Sequence, residues 1–291
     1  MTETRIRTLA VVGFGALGTP MARRLAAHGC SVVAVDPNPL ARARAEESGI
    51  PGADDLSSVP HCDLVIVLVA TGDQLLDAAK IGSARPGVPG ETWLICSTVG
   101  PQVAREATAV LVEAGATVLD APVTGGVVGA ANGTLRFLIA GHPEAIGRVG
   151  DVLSALGTLA PVGSQIGAGQ ATKLVNQLCS SVHLAVAAEA VALATRLGLD
   201  PVTTVGVLRG GSGSSPFLDD RGPRMAQPDG ESAVLTRLAI LAKDNSLVEQ
   251  AADAHGAHVP LLKAAKQQYQ RAVELGLLDA DDSQIVRTYL D

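Results

Sequence analysis

Val11-Val12-Gly13-Phe14-Gly15-Ala16-Leu17-Gly18 is the stretch on which the reading of the fold turns. Ahead of its glycines, Thr8 to Val12 is a short apolar run that reads as a buried strand. Gly13 permits a tight turn, Gly15 leaves room for the main chain to touch phosphates, and Gly18 lets a helix pack closely on the strand. From Ala16 to His28, the residues Leu17, Met21, Leu25 and Ala26 recur at helical spacing, so the opening N–H groups would face an anion. Pro20 is tolerated because the first helical turn needs no intrahelical partner for its nitrogen.

Working outward, Ser31 to Val35 is a second apolar strand that ends at Asp36, ahead of Pro37-Asn38-Pro39. An acid about 20 residues beyond such glycines hydrogen-bonds an adenosine ribose and repels a 2′-phosphate, which predicts NAD in preference to NADP. The competing reading is that Asp36 caps the turn into Pro37.

The 291 residues suffice for two domains or one large one, and a hydrophobic fraction of 47% is that of a packed globular chain. A net charge of −7 and an aromatic fraction of 2% argue against a nucleic-acid surface, so small molecules are the expected partners. No apolar run is expected to reach the length of about 20 residues that crosses a bilayer, and Met1-Thr2-Glu3-Thr4-Arg5 lacks the apolar core of a signal peptide. A soluble, cytoplasmic protein without membrane contact is the expectation. Cys30, Cys62, Cys96 and Cys179 contain no CxxC pair and read as small buried hydrophobes; His28, His61, His142, His183, His255 and His258 show no metal spacing. No metal is predicted.

Strand-like runs at Leu64–Val69, Thr92–Cys96, Thr117–Leu119 and Leu135–Ala140 alternate with helical patterns at Thr71–Ala79, Pro101–Ala114 and Pro143–Leu156. That alternation implies a mostly parallel sheet with helices on both faces, the α/β arrangement of a Rossmann domain. Strands are expected to stop after about Ala160. Gln170 to Leu197 then runs without Gly or Pro and predicts a long helix buried on several sides, through Leu174, Leu178, Val182, Ala185, Val186, Val191, Ala192 and Leu193. Further helices are predicted at Pro201–Leu208, Thr236–Ala254, Pro260–Glu274 and Asp282–Leu290, with Gly210 to Gly230 as a loop or flexible connection. The expected division is a dinucleotide-binding part, residues 1–166, and an all-α part, residues 167–291, joined by the long helix.

Three further segments carry chemistry. Asp120-Ala121-Pro122-Val123-Thr124-Gly125-Gly126 follows a strand, at the carboxyl edge where open α/β sheets bind ligands; its adjacent glycines and the Thr124 hydroxyl suit a carboxylate. Gly167-Ala168-Gly169-Gln170-Ala171-Thr172-Lys173 opens the long helix, and Lys173, Asn176 and Gln177 share one face at i, i+3 and i+4. A lysine among apolar neighbours there is desolvated toward proton transfer. The third segment is Lys243-Asp244-Asn245, which in isolation reads as a surface charge pair.

As an ordered set these segments resemble the β-hydroxyacid dehydrogenase family, which includes 3-hydroxyisobutyrate dehydrogenase and tartronate semialdehyde reductase. The resemblance spans essentially the whole chain and implies a Rossmann domain, a long interdomain helix and a helical domain that often dimerises, here a homodimer or homotetramer. It implies that Thr124, Gly125 and Gly126 grip a substrate carboxylate, that Asn176 and Gln177 meet the substrate, and that Lys173 is the acid/base group on the reacting oxygen. It places Thr98 of Ser97-Thr98, Lys243, Val69, Ala70 and Gln74 beside the cofactor, with Gly13 to Gly18, Asp36 and Pro37. Hydride transfer between a nicotinamide and a small 3-hydroxy acid is the activity it implies.

The chain departs from the family pattern at three places. Gln177 stands for a second asparagine, Ile95 stands where an aspartate is frequent, and Leu235 and Leu238 replace aromatic residues. Imine reductases resemble this scaffold but commonly carry an acid or tyrosine where Lys173 stands. A decarboxylating sugar-phosphate dehydrogenase would need a larger helical region. A noncatalytic NAD sensor would need only the glycines and Asp36, leaving Lys173 and Asn176 unexplained.

Overall fold

The computed structural model describes residues 6–230 and 233–290. Met1–Arg5, expected to hold no signal peptide, lies outside the described residues. The chain divides into two units, Met1–Lys173 and Leu174–Asp291. The division falls inside the long helix, whereas the expected boundary at 166/167 lies in the turn before it.

The first unit alternates strands and helices: β1 Thr8–Val12, α1 Gly18–Ala27, β2 Ser31–Val35, α2 Pro39–Glu46, β3 Gly52–Ala53, β4 Leu64–Val67, α3 Gly72–Ser83, β5 Thr92–Ile95, α4 Pro101–Glu113, β6 Thr117–Asp120, β7 Val123–Thr124, α5 Gly126–Asn132, β8 Leu135–Ala140, α6 Pro143–Ser154 and β9 Gly157–Gly163. The sheet order is β3-β2-β1-β4-β5-β6-β8-β7, with β9 also on β8. The six strands β1 to β6 are joined in parallel in the order 3-2-1-4-5-6, while β8 runs antiparallel to β6 and β7. Alternate side chains serve two cores. Leu9 and Val11 pack with Phe14, Met21 and Leu25, and Ala10 and Val12 with Leu75, Trp93 and Leu111.

The elements α2, β3, β7, α5 and β9 of this unit were not anticipated. β9 continues past Ala160 to Gly163 and carries Pro161, which it accommodates because, among the described residues, β9 pairs only with β8 and needs no donor on its other side.

The second unit contains the rest of α7 (Ala168–Arg196), then α8 Pro201–Leu208, α9 Pro216–Met225, α10 Leu238–Ala254, α11 Pro260–Glu274, a 3-10 turn at Asp282–Val286 and α12 Arg287–Leu290. Its core gathers Leu184, Ala188, Val191, Leu218, Leu238, Leu241, Tyr269 and Ile285. The expectation of a loop or flexible connection across Gly210 to Gly230 is corrected by α9. Gly222 and Pro223 disguise it in sequence, but the Ser215 hydroxyl accepts from Leu218 N at 3.1 Å, and Leu218, Gly222 and Met225 are buried at helical spacing. Arg224 and Arg221 of this helix pair with Asp281 at 3.0 Å and Asp282 at 3.1 Å.

Two expectations about α7 also change. Its 29 residues are long and apolar enough, by length and composition, to cross a bilayer, although half of the most apolar window is buried inside the protein. Val186 and Leu193, expected inside, are 52% and 57% exposed, so one flank of this helix is uncovered in the single chain. Cys179 on that helix is exposed, unlike the buried Cys62 and Cys96, because it lies on the same flank.

Candidate active site

Register places the predicted residues of the first unit along one sheet edge. Val35, Val12, Val67, Ile95 and Asp120 are consecutive partners across β2, β1, β4, β5 and β6. Because these strands are parallel, the segments just beyond them, 13–18, 36–38, 68–71, 96–100 and 121–126, emerge on the same side. The reversal of strand order lies between β1 and β4, the place where open sheets leave a crevice for a dinucleotide.

The glycine loop is built as that role requires. Gly13 has φ +93°, and a Cβ there would lie 2.6 Å from the carbonyl oxygen of Leu68. A Cβ on Gly18 would lie 2.0 Å from the carbonyl oxygen of Gly13, whereas one on Gly15 meets nothing within 4 Å. The first and last glycines are thus demanded by packing and the middle one faces open space, a cradle that fits a pyrophosphate. Helix α1 begins at Gly18, beyond the expected Ala16, with Leu17 before it, no side-chain cap and no acid in its first turn, which leaves its N-terminus suited to an anion. Phe14 is buried in the core.

Asp36 caps the turn, as one sequence reading proposed, and has a further task. Its Oδ1 accepts from Asn38 N at 2.9 Å, the turn cap, while its Oδ2 accepts from Phe14 N at 2.9 Å and so ties the glycine loop to the end of β2. Arg42 of α2 donates through Nη1 to the carbonyls of Asp36 at 2.8 Å and Pro37 at 2.9 Å. On the next segment, Gln74 uses Oε1 to accept from Ala70 N at 2.9 Å and Thr71 N at 3.2 Å, completing a capping box for α3. Ala70 is accordingly held by the helix start behind it.

Thr124 is half-buried at the end of β7, opposite Arg136 of β8. Gly125 and Gly126 follow at φ +117° and +61°, a left-handed pair that side chains other than glycine resist.

Lys173 is buried, 9% exposed, in the opening turns of α7. The start of that helix is docked by a network that sequence reasoning missed. Asp120, wholly buried, accepts through Oδ2 from Gly167 N at 2.8 Å and Gln170 N at 3.1 Å, capping α7 from another strand. Burial raises the Asp120 carboxyl above its ordinary value, against the opposing hydrogen bonds from Gln170, Gly167 and Gly169. The Gln170 side chain donates through Nε2 to Asp120 Oδ1 at 3.0 Å and to the Ser97 carbonyl at 2.9 Å; its Oε1 accepts from Val99 N at 3.0 Å and Gly100 N at 3.1 Å. A Cβ on Gly169 would lie 2.8 Å from the Asp120 carbonyl oxygen, so the helix approaches β6 only because glycine stands there. The signal in the sequence was a polar Gln170 directly after Gly167-Ala168-Gly169, at the head of an apolar helix.

In the second unit, Asn176 donates to Gln177 Oε1 at 2.9 Å, and Gln177 donates through Nε2 to Asp244 Oδ2 at 2.5 Å. Lys243 Nζ lies 3.0 Å from the other oxygen of Asp244. The Lys243-Asp244 pair is therefore half-buried: Asp244 is 3% exposed while the Lys243 side chain is 35% exposed.

Comparison with known proteins agrees with this geometry. Residues 8–184 match the family model described as the NAD binding domain of 6-phosphogluconate dehydrogenase, and residues 167–289 match the one described as NAD-binding of NADP-dependent 3-hydroxyisobutyrate dehydrogenase. An L-threonate dehydrogenase of Cupriavidus necator is 34% identical over 97% of this chain and 96% of its own length. A 3-hydroxyisobutyrate dehydrogenase of Pseudomonas aeruginosa is 36% identical over 72% of each chain. The crystal structure of a 3-hydroxyisobutyrate dehydrogenase from Salmonella typhimurium superposes with a TM-score of 0.87 at 29% identity, covering 97% of this chain and 99% of that one. With the glycine cradle, the 3-2-1-4-5-6 strand order and these matches together, the chain belongs to the β-hydroxyacid dehydrogenases of the 3-hydroxyisobutyrate dehydrogenase type and is an NAD(P)-dependent oxidoreductase.

Proposed function

We propose that this enzyme oxidises a small 3-hydroxy acid of the 3-hydroxyisobutyrate or threonate kind, with Lys173 as general acid/base and NAD in preference to NADP. The observation that carries the reading is a buried lysine in the helix whose first turn is fastened to the cofactor edge of the sheet through Asp120 and Gln170. A bound nicotinamide supplies the hydride acceptor at that edge. Thr124, Gly125 and Gly126 hold the substrate carboxylate, which fixes the carbon presented for transfer. In oxidation the carbinol carbon loses its hydride while the hydroxyl proton passes to the neutral Lys173 amine; in reduction the ammonium returns it. Asn176 and Gln177 are assigned to the substrate, and Gly13 to Gly18, Asp36, Pro37, Val69, Ala70, Gln74, Thr98 and Lys243 to the cofactor. Residues 1–166 serve as the dinucleotide-binding part and 167–291 as the substrate part of a cytoplasmic homodimer or homotetramer.

Support for an alcohol substrate over an imine comes from the lysine itself, and support for catalysis over sensing comes from the buried apparatus that positions it. The test is NADH formation at 340 nm from NAD with 3-hydroxyisobutyrate, L-threonate, glycerate and serine. Turnover of one of these, lost in Lys173→Ala, is expected. NAD binding without turnover of any of them would overturn the substrate class.

A further inference from the structure

We propose that Gln170 is a positioning residue for hydride transfer, one that sets the spacing between the Ser97–Gly100 loop and the helix that carries Lys173. The proposal rests on the reading of Lys173 as acid/base and of Thr98 as a cofactor residue.

The Gln170 side chain is wholly buried, and both halves of its amide are fully engaged: the oxygen by the N–H groups of Val99 and Gly100, the nitrogen by the Ser97 carbonyl and Asp120 Oδ1. None of these four partners belongs to α7. A residue needed only to begin the helix would bond to the helix, and that work is already done by Asp120 Oδ2 on Gly167 N and Gln170 N. Gln170 instead grips the main chain on both sides of Thr98, at residue 97 and at residues 99 and 100. Lys173 lies three positions further along α7, on the same face one turn away. The loop at the nicotinamide edge and the proton-transferring helix therefore share a single rigid clasp with fixed polarity. Reversing the amide would set its NH2 against two N–H groups and its oxygen against two oxygens, so the clasp has one orientation. A misplacement of about 1 Å between reacting groups costs on the order of 10²-fold in rate, and this is the distance that Gln170 controls.

The experiment compares the native enzyme, Gln170→Leu, Gln170→Glu and Lys173→Ala. NADH affinity is read by energy transfer from Trp93, the single tryptophan. Melting temperature, kcat, KM and the primary deuterium isotope effect are read with NAD and L-threonate, or with whichever of 3-hydroxyisobutyrate, glycerate and serine the native enzyme turns over fastest. In Gln170→Leu we expect kcat to fall about 10²-fold, NADH affinity and KM to stay within about threefold, and the isotope effect to rise as transfer becomes rate-limiting. Gln170→Glu keeps the volume and the acceptor for Val99 and Gly100 but sets an oxygen against Ser97 O and Asp120; it is expected to lose kcat in the same way and decides the matter if the leucine variant does not fold. A kcat within about threefold of native in a folded variant, or an unchanged isotope effect, overturns the proposal. The two readings separate: full turnover in Lys173→Ala removes the acid/base assignment, whereas a dead Lys173→Ala beside native-like Gln170 variants removes only the positioning role.

Discussion

Gln177 donates to Asp244 at 2.5 Å, and both side chains are buried, 6% and 3% exposed. The residue that departs from the family's paired asparagines thus has a defined partner. Its longer side chain reaches a carboxylate on α10, and Asp244 in turn lies 3.0 Å from Lys243. The departure at this position is therefore tied to the Lys243-Asp244 pair on α10, three helices further along the chain, and not to substrate contact alone.

Gln177→Leu should destabilise the protein. It leaves a buried carboxylate without its nearest donor and Asn176 with only the longer bond to Ser180 Oγ at 3.4 Å; a hydrogen bond to a charged group contributes about 1.5–3 kcal/mol. A lowered urea midpoint with unchanged slope is expected, and an unchanged midpoint would show that Asp244 finds another donor.

Lys173→Ala should lose about 10²–10⁴-fold in kcat while NAD affinity holds, because general acid–base catalysis is typically worth that much and the lysine is assigned to the proton, not to the dinucleotide. Oxidation by the native enzyme should also quicken with pH until the amine is neutral, since only the neutral form accepts a proton. A flat profile from neutral to alkaline pH would contradict this.

Much of this was legible locally. The glycines at Gly13 and Gly18 and the acid at Asp36 stand out by residue type and spacing alone, and the helices Pro201–Leu208 and Pro260–Glu274 begin and end where the sequence pattern placed them. The clasp of Gln170 on Asp120 was not legible, because it joins residues 50 positions apart and depends on how closely Gly169 lets a helix approach β6. Apolar periodicity also could not say which flank of α7 is covered: Ala185 is 5% exposed and its neighbour Val186 52%, a difference made by tertiary neighbours and not by hydrophobicity.

The raised Asp120 carboxyl gives a pH dependence with a definite sign. Burial keeps its proton on in the folded state to higher pH than in the unfolded chain, where it leaves near 3.8. Between those two values the folded state holds more protons, so stability falls as pH rises. The stability difference between native protein and Asp120→Asn, followed by urea unfolding from pH 3 upward, should therefore favour the native carboxyl most at the acid end and decline through that window. A difference independent of pH would place Asp120 at its ordinary value.

Asp36→Asn should shift cofactor choice. It keeps an acceptor for the turn but removes the negative charge that repels a 2′-phosphate, while Arg42 remains held beside the same turn by the Asp36 and Pro37 carbonyls. The ratio of kcat/KM for NADP to that for NAD should rise at least about tenfold, the equivalent of roughly 1.4 kcal/mol. If the native enzyme already used NADP as well as NAD, the preference assigned to Asp36 would be wrong.

The uncovered flank of α7 predicts the assembly. Val175, Val186 and Leu193 are 65%, 52% and 57% exposed, and with Cys179 they recur at intervals of four and seven residues, which puts them on one helical face. Exposed Glu189 interrupts this face between Val186 and Leu193, but an exposed apolar stripe of this kind is costly in water and is expected to meet another chain. A C2 pairing would set the stripe against its own copy, so each substitution acts twice in the dimer. Light scattering at about 10 µM should give the mass of a dimer or tetramer for the native chain. Val186→Asp with Leu193→Asp should lower that mass toward the monomer while helical circular dichroism is retained, since neither side chain contributes to the core of the second unit. A native protein that scatters as a monomer would remove the assembly; a double variant that keeps the native mass would move the interface to another face.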